Sequence, residues 1–157
     1  PLTLQTILDY HFLAMQHNPN IAGKIRKIEV HILRNPNFKI TKAKDIEKEL
    51  DELIKKYDEF VKKEKSSLKD VLNFAVYFHN EFQHIHPFED GNSRTTRLIT
   101  FHLLQSTDIP ILDIPFGLLD EYLGYTKGAR FREDKKLLSN LQKTILFNLK
   151  KINEKLS

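Results

Sequence analysis

The stretch His86-Pro87-Phe88-Glu89-Asp90-Gly91-Asn92-Ser93-Arg94-Thr95-Thr96-Arg97, followed at once by Leu98-Ile99-Thr100-Phe101-His102-Leu103-Leu104, decides how the rest of the chain is read. The second part has the body of a helix, so the Gly91-Asn92-Ser93 turn falls at a helix N-terminus, where the first backbone N–H groups have no intrahelical partner. Such a turn favours an anion. Arg94 and Arg97 are three apart on the first helical turn and share a face. Positive charge near the positive pole of a helix is unfavourable by about 0.3–1 kcal/mol per group, so two guanidinium groups there make sense if they hold a bound anion. Taken singly, each residue also has an ordinary reading: a hydrogen-bonded loop histidine, an Asx turn, solvated arginines.

In this order and spacing the residues resemble the motif of the Fic family, His-Pro-Phe-x-Asp/Glu-Gly-Asn-Gly-Arg-x-x-Arg, most of whose members transfer AMP from ATP onto a protein hydroxyl. The sequence departs from it at Ser93, where the family usually has Gly and a phosphotransferring branch, the Doc toxins, has Lys. Ser keeps the N–H donor but adds a Cβ, which would be strained if φ there were positive. The resemblance implies that His86 deprotonates the target Ser, Thr or Tyr and that Asp90 coordinates Mg²⁺. It further implies that Gly91, Asn92 and Ser93 hold the α-phosphate through backbone N–H groups and the Asn92 amide, while Arg94 and Arg97 take the β- and γ-phosphates. Mg²⁺ as cofactor, ATP as substrate and a target protein with a hydroxyl side chain as partner follow from it.

Working outward, Leu4, Ile7, Leu8, Phe12 and Met15 recur at helical spacing behind Thr3 as N-cap. Ile28, Val30 and Ile32 alternate with Lys27, Glu29 and His31, and Asn35-Pro36-Asn37 supplies a turn, which predicts a β-hairpin over Arg26 to Ile40. A second helix follows from Thr41 to about Glu64. Ser67 with Asp70 resembles a capping box opening a third, apolar over much of its circumference and thus central, which delivers His86 into the motif. Phe88 is expected to anchor the loop in the core. Pro110 and Pro115 bracket an extended Ile111 to Ile114, and two helices close the chain near Phe116 to Lys127 and Asp134 to Leu156.

The fold expected is therefore mainly α: a Fic-type helical bundle with a small β-hairpin flap ahead of the central helices, in one catalytic domain over residues 1–157. In the Fic family a hairpin at this place in the chain, the flap, clamps the target polypeptide beside the motif. By that resemblance Ile28, Val30, His31 and Ile32 are target-docking candidates, pairing with a target by strand addition. An ordinary edge hairpin packed on the bundle is the competing reading.

Composition narrows the remaining classes. The chain has no cysteine, which removes disulfides and thiolate metal sites. No apolar run reaches the length of a membrane span and no signal-peptide pattern opens the chain, so a cytoplasmic location and no membrane partner are expected. The net charge of +4 comes with acidic residues interleaved among most basic groups, the pattern of solvated helix faces, so no nucleic-acid partner is expected. His79 and His84 are five apart, poor spacing for one metal-binding helix face. His79 reads as a buried histidine supporting the loop, His11, His31 and His102 as structural, and Glu89 as solvent-facing. Oligomeric state has no signature in the sequence.

Many Fic proteins carry an inhibitory Ser/Thr-x-x-x-Glu-Gly/Asn helix whose glutamate pairs with the second motif arginine. Ser66 leads to Asp70-Val71 and Thr144 to Asn148, so neither matches. The chain opens at Pro1 almost directly on the first helix. The expectation is a catalytic fragment whose inhibitory segment, or an antitoxin-like partner, lies outside it, with Arg97 free. Transfer of phosphate or UMP, removal of AMP, and a non-catalytic module that binds nucleotide and peptide are the alternatives.

Overall fold

Local capping and apolar spacing set the helix starts in the computed structural model, which describes residues 1–33, 35, 37–63, 66–109, 113–128 and 134–157. Among these, six α-helices and one short 3-10 turn, Ala43–Asp45, make up the regular structure: α1 Leu4–Ala14, α2 Ile46–Val61, α3 Leu68–Ile85, α4 Asn92–Ser106, α5 Phe116–Gly128 and α6 Asp134–Leu156. Thr3 caps α1, with Thr6 reciprocating, and Ser67 caps α3, with Asp70 reciprocating. Both are capping boxes that satisfy orphan donors at a helix start.

α3 is the central helix. Val71, Leu72, Ala75, Val76, Phe78, His79, Phe82 and Ile85 are all buried along it, too many for a single stripe. It packs against α2, α4 and α6, while α1 lies across α4 and touches α2, and α5 lies on α6. The amphipathic face of α2 supplies Ile46, Leu50, Leu53, Tyr57 and Phe60 to the core. Three threonines line the buried side of α4, where the hydroxyls of Thr95, Thr96 and Thr100 donate to the carbonyls of Gly91, Asn92 and Thr96 at 3.0, 2.7 and 2.8 Å. Each buried hydroxyl is thereby satisfied within its own helix.

No strand occurs among the described residues, so the β-hairpin expected over Arg26 to Ile40 is not confirmed. Its turn residue Pro36, with Arg34, lies outside them, as do Ile111 and Leu112 of the expected extended stretch. The backbone groups of the segment pair elsewhere. Arg26 N donates to Pro87 O at 2.9 Å and Thr41 N to His84 O at 3.0 Å, so its two ends are tied to the end of α3. Between them, Asn35 N to Ile32 O and Phe38 N to Asn35 O form local turns of 3.0 and 3.1 Å. An isolated two-stranded ribbon is marginal in water, and here both ends of the segment are anchored on the bundle.

Candidate active site

The motif loop hangs between the C-terminus of α3 and the N-terminus of α4, and each of its corners has a specific brace. His86 is the C-cap of α3, in the left-handed region at φ 49°, ψ 58°, a conformation a non-glycine residue holds only when its surroundings impose it. Its N–H donates to Phe82 O at 3.0 Å, and its carbonyl accepts from Arg26 Nε at 2.7 Å. Phe88 is fully buried, as expected, and its ring stacks on His11 with centroids 3.6 Å apart and planes 2° apart.

His11 does more than pack. Its Nδ1 accepts from Gly23 N at 2.9 Å, so the ring proton sits on Nε2 and is donated to the carbonyl of Asp90 at 3.0 Å. Burial holds its pKa below the usual histidine value, with Arg94 adding to the effect and the Asp90 carbonyl and carboxylate opposing it. Next in the chain, Gly91 N-caps α4 at φ 78°. A Cβ there would lie 2.7 Å from Met15 Sδ and 2.8 Å from Met15 Cγ, so conformation and space both demand glycine. The first helix is thus a platform beneath the turn.

At the start of α4 no side chain caps the helix. Thr95 N is already bonded to Gly91 O, which leaves the N–H groups of Asn92, Ser93 and Arg94 as the anion-facing donors. The Asn92 amide commits its oxygen and one of its two N–H donors to the loop itself. It is buried and turned inward, accepting from Phe88 N at 3.0 Å and donating to Phe88 O at 2.7 Å, so it closes the loop on itself. Ser93 sits inside α4, and the non-glycine residues of positive φ among those described are His86 and Asp108. Its Cβ therefore causes no strain, and its hydroxyl accepts from Gln83 Nε2 at 3.3 Å.

The charged groups converge on one concavity of ≈690 Å³ lined by His86, Asp90, Gly91, Asn92, Ser93, Arg94 and Arg97, with Gln83, Glu89 and Leu123 around them and His31, Ile32 and Leu33 of the flap segment across it. That volume falls within the range of about 300–1,000 Å³ typical of small-molecule sites. Arg94 Nη1 donates to the carbonyl of Ala14 at 3.0 Å, and its Nη2 lies 3.5 Å from Asp90 Oδ2. Arg97 lies over the ring of Tyr122, 5.4 Å from its centroid, and its Nη1 is buried without a hydrogen-bond partner. No carboxylate pairs with Arg97 among the described residues. Tyr122 in turn meets His79 Nε2 through its hydroxyl at 2.7 Å, and burial pushes that phenol up to about 12.

His86 is held neutral. Burial and, second, the Arg26 guanidinium push its pKa down to about 4, with the Gln83 carbonyl and Asp90 acting in the opposite sense. Its Nδ1 is buried without a well-formed hydrogen bond. An imidazole that stays unprotonated at neutral pH is competent to accept a proton. Asp90 uses Oδ1 to accept from Gly91 N at 2.6 Å, and its side chain is largely exposed toward the cavity. Among the described residues no group of three or more His, Cys, Asp or Glu gathers as a cage. A lone carboxylate beside an anion cradle does fit Mg²⁺, which takes one or two carboxylates and completes its shell with phosphate oxygens and water.

Of the flap candidates, His31 and Ile32 reach the cavity, whereas Ile28 and Val30 do not line it; Leu33, not singled out in the sequence, does. The largest omission is Arg26. It is 2% exposed, and besides His86 O its guanidinium donates to Ile28 O at 2.8 Å and Thr41 O at 2.5 Å, pinning both ends of the flap segment to the motif. Met15, Gln83 and Tyr122 were not singled out as site residues, and His11, expected only as a structural histidine, braces the motif turn. For His11 a signal existed: it lies four after Ile7 and three after Leu8, on the apolar face of α1.

Comparison with known proteins agrees with this geometry. The Fic/DOC family model matches residues 1–104. The chain is 30% identical over 133 residues to the protein adenylyltransferase Fic of Drosophila persimilis, covering 82% of this chain and 24% of that protein. Against the Drosophila melanogaster protein of the same name the identity is also 30%, over 82% of this chain and 25% of that one. The chain thus spans about a quarter of the length of these curated relatives. Among solved structures, Fic-1 (residues 134–508) of C. elegans superposes with a TM-score of 0.71 at 19% identity, over 98% of this chain and 45% of that one. A Fic-domain-containing signaling protein of Bacteroides thetaiotaomicron gives 0.72 at 18%, over 96% and 62%. At those identities the likeness is one of fold.

Proposed function

Because the chain belongs to the Fic/DOC family, we propose that it transfers AMP from Mg-ATP to a Ser, Thr or Tyr hydroxyl of a target protein. The observation that carries this reading is the meeting, in one cavity, of a neutral imidazole, an exposed carboxylate, three uncapped helix N–H groups and two guanidinium groups. The relatives named protein adenylyltransferase support the same reaction class.

In the reaction, the target oxygen forms a bond to the α-phosphorus, the bond from that phosphorus to the α,β-bridging oxygen breaks, and pyrophosphate leaves. His86 takes the hydroxyl proton. The N–H groups of Asn92, Ser93 and Arg94 face the α-phosphate, where charge builds on the non-bridging oxygens. Arg94, braced by Ala14 O and Asp90, takes the β-phosphate, and Arg97, which pairs with no carboxylate among the described residues, takes the γ-phosphate. Asp90 would hold Mg²⁺, which would supply charge neutralisation when bound. His31, Ile32 and Leu33 border the approach of the target.

The test is transfer from α-labelled ATP onto lysate proteins. The chain should label at least one protein, and His86→Ala should lose the label by about 10²–10⁴-fold while Mg-ATP binding changes little. Full labelling by His86→Ala would remove that residue from the reaction.

A further inference from the structure

The charge of this protein is distributed unevenly. Residues 27–44 hold five basic side chains, Lys27, Arg34, Lys39, Lys42 and Lys44, against the single acid Glu29, which leaves twenty of each sign in the rest of the chain. The whole net charge of +4 therefore resides on the flap segment and its root. Lys27, Lys42 and Lys44 are exposed and line an open cleft of ≈510 Å³ together with Glu29 and Glu47. Glu29 is already engaged, accepting from Ala43 N at 3.0 Å and lying 3.6 Å from Arg26 Nη1. The three lysines have no carboxylate within ion-pair distance among the described residues, so three ammonium groups face the cleft against the one remaining acid, Glu47.

The same run of chain borders both concavities: Lys27 and Glu29 line the basic cleft, and His31, Ile32 and Leu33 line the cavity of His86. Four residues of extended chain span about 13 Å, so a polypeptide lying along the flap with its hydroxyl at His86 reaches the lysines within about four or five residues. We infer that the cleft beside the flap root docks acidic side chains flanking the modified hydroxyl, so that the targets of this protein are acidic segments. The inference rests on the transferase reading for its hydroxyl, and on charge complementarity for its acids. A nucleic acid fits less well, because the cleft presents no aromatic side chain for base stacking.

Two peptide pools, each with a central Ser, Thr or Tyr and flanks of either Glu/Ala or Lys/Ala, separate the outcomes when read both by fluorescence anisotropy and by transfer from α-labelled ATP with Mg²⁺. The Glu/Ala pool should bind the chain about tenfold tighter than the Lys/Ala pool, and the difference should shrink at about 0.5 M salt. The triple variant Lys27→Glu/Lys42→Glu/Lys44→Glu should lose that preference while keeping its Mg-ATP affinity and thermal midpoint. Equal binding of the two pools, a preference that survives the triple variant, or tighter binding of an oligouridylate than of the Glu/Ala pool would overturn the inference. Labelling of both pools alike removes the acidic preference and leaves the transferase; binding of the acidic pool with no labelling of any peptide or of the chain itself supports the docking cleft and removes the transferase.

Discussion

The motif loop and the flap segment face each other across one cavity and are built in opposite ways. In the loop nearly every group has a fixed partner: Phe88 is in the core, the Asp90 carbonyl is held by His11, the Asn92 amide bridges back to Phe88, and Gly91 sits against Met15. The flap is fastened at its root by Arg26 and two backbone bonds, and it exposes Ile28 at 55% and Leu33 at 85%. Under the proposed reading this is a division of labour: phosphate chemistry needs donors already in place before reaction, whereas an exposed apolar surface can accommodate an incoming polypeptide.

The comparison breaks most severely at Gly91. Gly91→Ala must take a Cβ into the left-handed region and against Met15, so the expected cost is about 2–4 kcal/mol of stability, with Mg-ATP affinity lost; urea unfolding and calorimetric titration measure both. At the flap root, Arg26→Lys keeps the charge but puts one nitrogen where three separate guanidinium nitrogens met three carbonyls, a loss worth about 2–4 kcal/mol. Because Arg26 joins the two regions, kcat/KM for the target protein should fall between about ten- and a hundredfold while the Kd for Mg-ATP stays constant. An equal loss on both substrates would show that the loop does not stand independently of the flap.

A smaller effect separates the regions by pH. With the His86 pKa lowered from 6.5 to about 4, kcat/KM should stay level as pH falls from 7.5 to about 5, with no inflection at the ordinary histidine value. Stability behaves differently. His11 and His86 exclude protons in the folded protein that they accept in the unfolded chain, so stability falls as pH drops from about 6.5 toward 4. The urea midpoint should accordingly be lower at pH 5 than at pH 7, and the difference should shrink in His86→Ala. The smallest change belongs to Ser93→Gly. With ordinary helical φ and a hydroxyl already bonded to Gln83, its loss should alter transfer by less than about threefold and cost about 0.5–1 kcal/mol for glycine within a helix.

What could be read from the sequence was what depends on neighbours in the chain. The caps at Thr3 and Ser67, the central position of α3, the burial of Phe88 and the helix beginning at Asn92 are local signals, and the structure has them where the spacing puts them. The hairpin is unconfirmed because alternation describes which side chains could share a face, not where the backbone groups pair; at the two ends of the segment they pair with Pro87 and His84, some forty to sixty residues away. Arg26 and His11 escaped for the same reason. Their partners, His86 O and Asp90 O, are sixty and seventy-nine residues distant, and only the fold brings them together. The Asn92 amide shows the reverse case: a polar side chain in a motif is as readily used to shape the loop as to meet a ligand.

The most direct measurement is a crystal structure with Mg²⁺ and a non-hydrolysable ATP analogue. The account predicts the α-phosphate within hydrogen-bond distance of the backbone N–H groups of Asn92, Ser93 and Arg94, with Asp90 on the metal and His86 facing the α-phosphorus. A triphosphate bound away from the N-terminus of α4, or one whose α-phosphorus is turned from His86, would contradict it.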